Sequence, residues 1–148
     1  MTYALTVRQP WSSAFFRRPV PLAKTVENRT WATSYRGRIA IHASLVVDRE
    51  GLKQIGSEGF EHDQDRGVIL GTVELVDVHK AWSDGCRTWG CEDSPWAQWP
   101  TAAAPRVMHW MMEHPRQFVT PIRARGALQL WTPGPSALHL MSIAEVVP

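Results

Sequence analysis

Gly67–Val78 is the stretch that most restricts what this chain can become. It is dense in β-branched side chains and alternates in its second half, which suits a long strand covered by a core. Gly71 interrupts it, and a glycine inside a strand marks a bulge or a tight corner where a sheet curls. Tyr3–Arg8, Arg38–Ser44, Arg106–Glu113 and Ala124–Trp131 read as further short strands. Helical pieces are short: Trp11–Arg18 after Pro10, Arg49–Gly56 capped by Asp48, and a final piece holding Leu138, Leu140 and Met141 with Ser136 as its cap. His114-Pro115 reads as a turn, and Gly59–Gly67 as a polar loop. No strand–helix–strand rhythm and no internal repeat appear. The expected class is mixed α/β and mainly β: a small barrel of five or six strands with short flanking helices, one domain over residues 1–148.

Residues 79–105 stand apart. They are long, irregular and rich in Gly, Pro and Trp (Trp82, Trp89, Trp96, Trp99). Long loops without regular structure are commonly lids or disordered, and the tryptophans argue for a lid or wall. Trp11, Trp31, Trp110 and Trp131 complete a set of eight tryptophans, too many for all to be assumed buried.

Lys24–Trp31, with Tyr35-Arg36-Gly37-Arg38 after it, concentrates chemistry. Extended, it sends Glu27, Arg29 and Trp31 to one side and Val26 and Asn28 to the other. Such a charged and aromatic face is either a solvated rim or the floor of a polar pocket, and a pocket is the reading adopted. Net charge is +2, unevenly spread. Residues 1–38 carry Arg8, Arg17, Arg18, Lys24, Arg29, Arg36 and Arg38 against Glu27 alone; residues 39–94 hold eleven acids against five bases. A basic first quarter points to an anionic partner such as a nucleic acid. Structural roles stand beside these: Glu27 neutralising Arg29 or Arg36, Trp11 and Trp31 in the core, His42 as a satisfied core histidine.

Several classes are set aside. GxGxxG, P-loop, HExxH and GxSxG patterns are absent. Cys86 and Cys91 are too few for a disulfide scaffold, and with His79 and His109 they miss the usual zinc spacing, in which cysteines sit about two to four residues apart. No metal and no cofactor are expected. No apolar run reaches the ~18 residues of a membrane span, and the start shows no secretory pattern. A reduced, cytoplasmic setting is the expectation.

Five strings, in order, carry a resemblance: Leu5–Trp11 (LTVRQPW), Lys24–Trp31 (KTVENRTW), Tyr35–Ser44 (YRGRIAIHAS), Gly67–Val78 (GVILGTVELVDV) and Arg125–Trp131 (RGALQLW). Together they resemble the ASCH domain, the activating-signal-cointegrator homology family within the PUA-like superfamily. The resemblance implies a β-barrel with flanking helices and a cleft that binds RNA or single-stranded DNA. It places Gln9, Pro10 and Trp11 at the cleft's helix entrance, Lys24, Glu27, Arg29 and Trp31 on its floor, Tyr35, Arg36 and Gly37 on one rim, and Arg125-Gly126 opposite. Arg8 and Arg38 join as backbone contacts. One branch of the family resembles amidohydrolases of acetylated cytidine, in which a threonine nucleophile follows the lysine by three residues. Here Lys24 is followed by Glu27, which removes that nucleophile. Single-stranded RNA or DNA, or a nucleoside, is the expected partner. A hydrolase using Lys24 and Glu27 on RNA or a modified nucleoside is the alternative, and a protein-interaction adaptor a third.

Overall fold

The computed structural model describes residues 2–55, 64–86 and 90–148. In chain order the elements are β1 (Tyr3–Gln9), α1 (Trp11–Ala14), β2 (Val26–Arg29), β3 (Gly37–Val47), α2 (Arg49–Ile55), β4 (Val68–Lys80), β5 (Met108–Arg123), β6 (Leu130–Trp131) and α3 (Pro135–Ile143). The six strands form one curled sheet, a half-barrel, in the order β2-β5-β4-β3-β1-β6. The mainly β class with short helices is as the sequence implied.

Only β1 and β3 pair in parallel among the strand pairs of this sheet. Between them the chain crosses to the far edge, lays β2 against β5, and returns. That crossing sets two distant strands facing one another. The Arg29 guanidinium on β2 donates to the Thr6 carbonyl of β1 at 2.9 Å, across the open side of the half-barrel.

Period-two alternation sorts the side chains into two cores. Leu5, Val7, Ile39, Ile41, Val73, Leu75, Trp110 and Met112 pack inside the curl with Phe15 and Phe16. Ala4, Ala40, Ile69, Phe118 and Ile122 pack on the other face, where Ala137 of α3 covers them.

Gly71 is required by close approach. A Cβ there would lie 2.3 Å from the Arg116 carbonyl oxygen and 2.9 Å from Phe16. The ladder shifts register beside it on both neighbours, as the bulge reading implied.

Four boundaries differ from expectation. α1 ends at Ala14 rather than Arg18, because Lys24 N–H takes the Ala14 carbonyl and the chain folds back through a short 3-10 turn at Val20–Leu22. His114-Pro115 does not end a strand; β5 runs straight through it. Thr72 pairs with Arg116 and Glu74 with Glu113, so His114 and Pro115 together oppose Val73. In such a bulge the missing proline N–H leaves no ladder partner unmet, and His114 takes the left-handed φ of 49°. β6 is two residues long, the 124–129 segment being irregular. Gly134, not Ser136, precedes α3, with Pro135 in its first turn. The expected loop from Gly59 lies largely outside the described residues, as do Gly56 and Trp89. Among the described residues no helix is long and apolar enough to cross a membrane.

Gly71→Ala should lower stability by about 1–3 kcal/mol, the usual cost of overpacking. Urea denaturation checks this, and an unmoved midpoint would contradict the close approach.

Candidate functional site

β2 is an edge strand of four residues, and its neighbourhood is polar and enclosed. Lys24 precedes it, fixed by its backbone bond to Ala14. The Lys24 ammonium lies 5.2 Å from the centre of the Phe15 ring and 5.5 Å from that of Trp11, a cation held over aromatic faces. It donates to Glu27 Oε2 at 2.5 Å, while Arg29 Nε lies 3.0 Å from Glu27 Oε1. Lys24 and Glu27 are each only 6% exposed. Burial pushes the Glu27 carboxyl upward, but Lys24 and then Arg29 outweigh it and hold the group below its usual range. Glu27 is therefore an ionised carboxylate with a cation on each oxygen.

Beside this triad lies a hollow of about 410 Å³, lined by Trp11, Lys24, Glu27, Asn28, Asp48, Gln54, Pro95, Trp96 and Gln98. Trp11 and Trp96 meet edge to face, 6.3 Å between ring centres. The Trp11 indole donates to Asp48 Oδ2 at 2.7 Å, and Asp48 Oδ1 accepts the Gly51 N–H, capping α2 as expected. Both bonds, the indole's first, keep the Asp48 carboxyl below its ordinary range. The charges around the hollow are mixed: Lys24 and Arg29 face Glu27, and Asp48 feels Arg8 as well. The cleft expected to be basic thus holds both signs of charge.

The 79–105 excursion supplies one wall. Asn28 donates to the Trp96 carbonyl at 2.8 Å and accepts the Gln98 N–H at 2.9 Å, so its amide works like a strand partner on β2's free edge. Glu27 and Asn28, expected on opposite sides, both line the hollow because the loop covers that edge.

Other expected residues fall elsewhere. Gln9 is fully buried, accepting from Ser13 N–H and donating to the Asp65 carbonyl; it shapes the turn into α1. Trp31 packs edge-on against Trp110 at 4.6 Å. Tyr35 stacks edge-on with Tyr3 and donates to the Arg38 carbonyl. Arg36 faces Asp77 at 3.8 Å, and Arg38 faces Glu74 at 3.7 Å while donating to Thr72 and His114. Arg8 is exposed on β1. Arg125 is not opposite Lys24. With Arg66 and Arg123 it lines a second hollow of about 910 Å³ that also takes in Thr6, His42 and Gly126. Thr6 links the two regions: its carbonyl holds Arg29, and its hydroxyl accepts from Trp131 and meets His42 Nδ1. His42 is a satisfied buried histidine, its Nε2 on the Ala124 carbonyl; burial lowers its pKa.

His79, Cys86, Cys91 and His109 are far closer in the fold than their spacing along the chain implies. His79 of β4 and His109 of β5 are paired residues of the ladder, and the excursion returns Cys86 and Cys91 to them. Four potential ligand atoms lie within 4.8 Å of one another. Sequence distance missed them because strand register, not chain spacing, joins the histidines. The Trp-rich composition of 79–105 marks that excursion as a wall and Trp96 belongs to it, but nothing in the sequence joins Asn28, Asp48 and Gln98 to the hollow.

Comparison with known proteins identifies the family and the fold. The ASCH domain model matches residues 5–121. The human activating signal cointegrator 1 is 33% identical over 85 residues, 51% of this chain and 14% of that protein, so this chain spans only a small part of it. A crystal structure of ASCH from Zymomonas mobilis superposes with a TM-score of 0.56 at 12% identity, covering 97% of this chain and 96% of that one. A mutant of the same protein gives 0.57, with 97% and 99% covered. At that identity the likeness concerns the fold.

The folded chain binds the Glu27 proton less readily than the unfolded chain does. Its contribution is therefore full above the ordinary value of 4.5 and is lost as pH falls through the lower folded value. Glu27→Gln should cost about 3–5 kcal/mol at neutral pH by leaving Lys24 buried without its partner. It should also flatten the acid limb of stability. Denaturation midpoints across pH test this; identical profiles for both proteins would contradict it.

Proposed function

Because this chain belongs to the ASCH domain family, we propose that it is a nucleic-acid-binding module that seats one exposed base of a single strand, RNA in the first instance, in the hollow beside Trp11 and Trp96. The observation that carries this reading is the separation of chemistries. One hollow is aromatic-edged and mixed in charge; the other is lined by arginines.

A polar hollow of mixed charge suits an uncharged base better than a phosphate. Its size falls in the usual range of small-ligand sites, about 300–1,000 Å³. Aromatic side chains give sequence-tolerant stacking, worth roughly 1–3 kcal/mol per base. Lys24 spends one donor on Glu27 and keeps others for a base carbonyl. Glu27 orients Lys24 and Arg29 rather than reading the base itself, since each of its oxygens already faces a cation. Arg123 and Arg125, exposed beside the larger hollow, are suited to the phosphate backbone, where contacts position without specifying. Recognition of unstacked bases on aromatic side chains is the general mode of single-stranded RNA binding.

Proton-transfer chemistry is less well served. A carboxylate held ionised between two cations has no proton to give and is a weak base, so Glu27 does not suit a proton shuttle with Lys24.

Anisotropy titrations with short single-stranded RNA at two salt concentrations test the reading. Trp96→Ala should weaken binding by about 5- to 150-fold with little change in salt slope. Arg123→Glu with Arg125→Glu should weaken binding and lower the slope by roughly 1–2. Wild-type protein that binds no oligonucleotide, or binding untouched by both variants, would overturn it. So would a change in oligonucleotide mass on incubation, which would make the protein a hydrolase.

A further inference from the structure

We propose that His79, Cys86, Cys91 and His109 form a closed, tetrahedral zinc site that staples the 81–105 excursion to the sheet and so fixes the Trp96 wall. This goes beyond base binding and does not depend on what the hollow takes.

The ligand atoms are already gathered. Cys86 Sγ lies 3.1 Å from His79 Nε2 and 3.1 Å from His109 Nδ1, and Cys91 Sγ lies 3.4 Å from His79 Nε2. Zinc at about 2.3 Å from sulfur and about 2.0–2.1 Å from nitrogen sets tetrahedral sulfur–nitrogen edges of roughly 3.5 Å. The observed spacings are close to that. Cys91 and His109 are buried, and the other two half-buried, which suits a structural centre more than a surface cluster.

The outer nitrogens give an independent pointer. His79 Nδ1 is 2.7 Å from Asp77 Oδ2, and His109 Nε2 is 2.7 Å from the Gln98 carbonyl oxygen. A carbonyl only accepts, so Nε2 of His109 carries the proton. Its Nδ1 lone pair then faces the sulfurs. The Asp77 carboxylate does the same for His79. This is the arrangement in which an outer acceptor fixes the tautomer and aims the inner nitrogen at a metal.

The loop is shaped for the task. Cys86 N–H donates to Glu92 Oε1 at 2.6 Å, which ties the first cysteine to the residue after the second. Gly85 permits this with a φ of 119°, a conformation that side-chain-bearing residues rarely adopt. Two thiolates and two imidazoles form a donor set that selects zinc among common divalent ions. Four protein ligands leave no open position, so the ion has a structural role. It connects to the hollow through Gln98, whose carbonyl holds His109 and whose N–H holds Asn28.

Protein purified after growth with added zinc, weighed by native mass spectrometry, should carry one zinc per chain. Chelator-treated protein refilled with cobalt(II) should show thiolate-to-cobalt charge transfer and tetrahedral d–d bands. Cys91→Ser should retain less than a tenth of the metal. Asp77→Asn, which leaves every ligand in place, should bind zinc about 10- to 100-fold more weakly. Hydrogen exchange should rise in residues 90–104 on zinc removal while β4 stays protected. Folded wild-type protein that takes up neither zinc nor cobalt would overturn the site, as would a Cys86–Cys91 disulfide in the freshly purified chain. Unchanged exchange at 90–104 after zinc loss would overturn the staple.

Discussion

The Glu27 carboxylate, held between Lys24 and Arg29, is the interaction on which the rest depends. Each cation is tied to another part of the half-barrel. Lys24 is anchored by its backbone to α1 and lies over Phe15 and Trp11. Arg29 reaches across the open side to Thr6 of β1. Buried ions are costly unless every charge is paired, and in this set each charge faces an opposite one. It pins a four-residue edge strand that has β5 alone as a sheet neighbour. Asn28, between two members of the set, is thereby placed to hold the loop.

A second constraint acts from the other end of that loop. Gln98 is bound twice, by Asn28 through its N–H and by His109 through its carbonyl. The edge strand and the His–Cys cluster therefore fix the same short segment from two sides. Trp96, two residues earlier, is positioned with it. Polar clamps on backbone groups, with Trp96 against Trp11 and Trp99 against His109, give a long irregular excursion a defined aromatic face.

Much of this was legible in the sequence because it is local. Val68–Lys80 announces itself by β-branched density, and Gly71 marks the curl it permits. Lys24, Glu27 and Arg29 fall within six residues, so their association needs only an extended backbone. What escaped is set by register and by loops. His79 meets His109 because β4 and β5 pair there, a relation that thirty residues of sequence conceal. Arg36 and Arg38 face Asp77 and Glu74 of the neighbouring strand, a pairing the sequence does not show. His114-Pro115 has the composition of a turn, yet a bulge accommodates it inside β5. Trp31 and Gln9 have the chemistry of a site, yet packing and buried hydrogen bonds use them.

The central claim is that a base enters beside Trp11 and Trp96. The most direct measurement is the indole N–H spectrum of the protein, assigned by single tryptophan substitution and titrated with a short single-stranded RNA. The account predicts that the Trp11 and Trp96 signals shift while Trp110, fully buried with its indole on the Trp31 carbonyl, stays still. Saturable binding with the Trp11 and Trp96 signals unmoved would contradict it and place the recognition surface elsewhere.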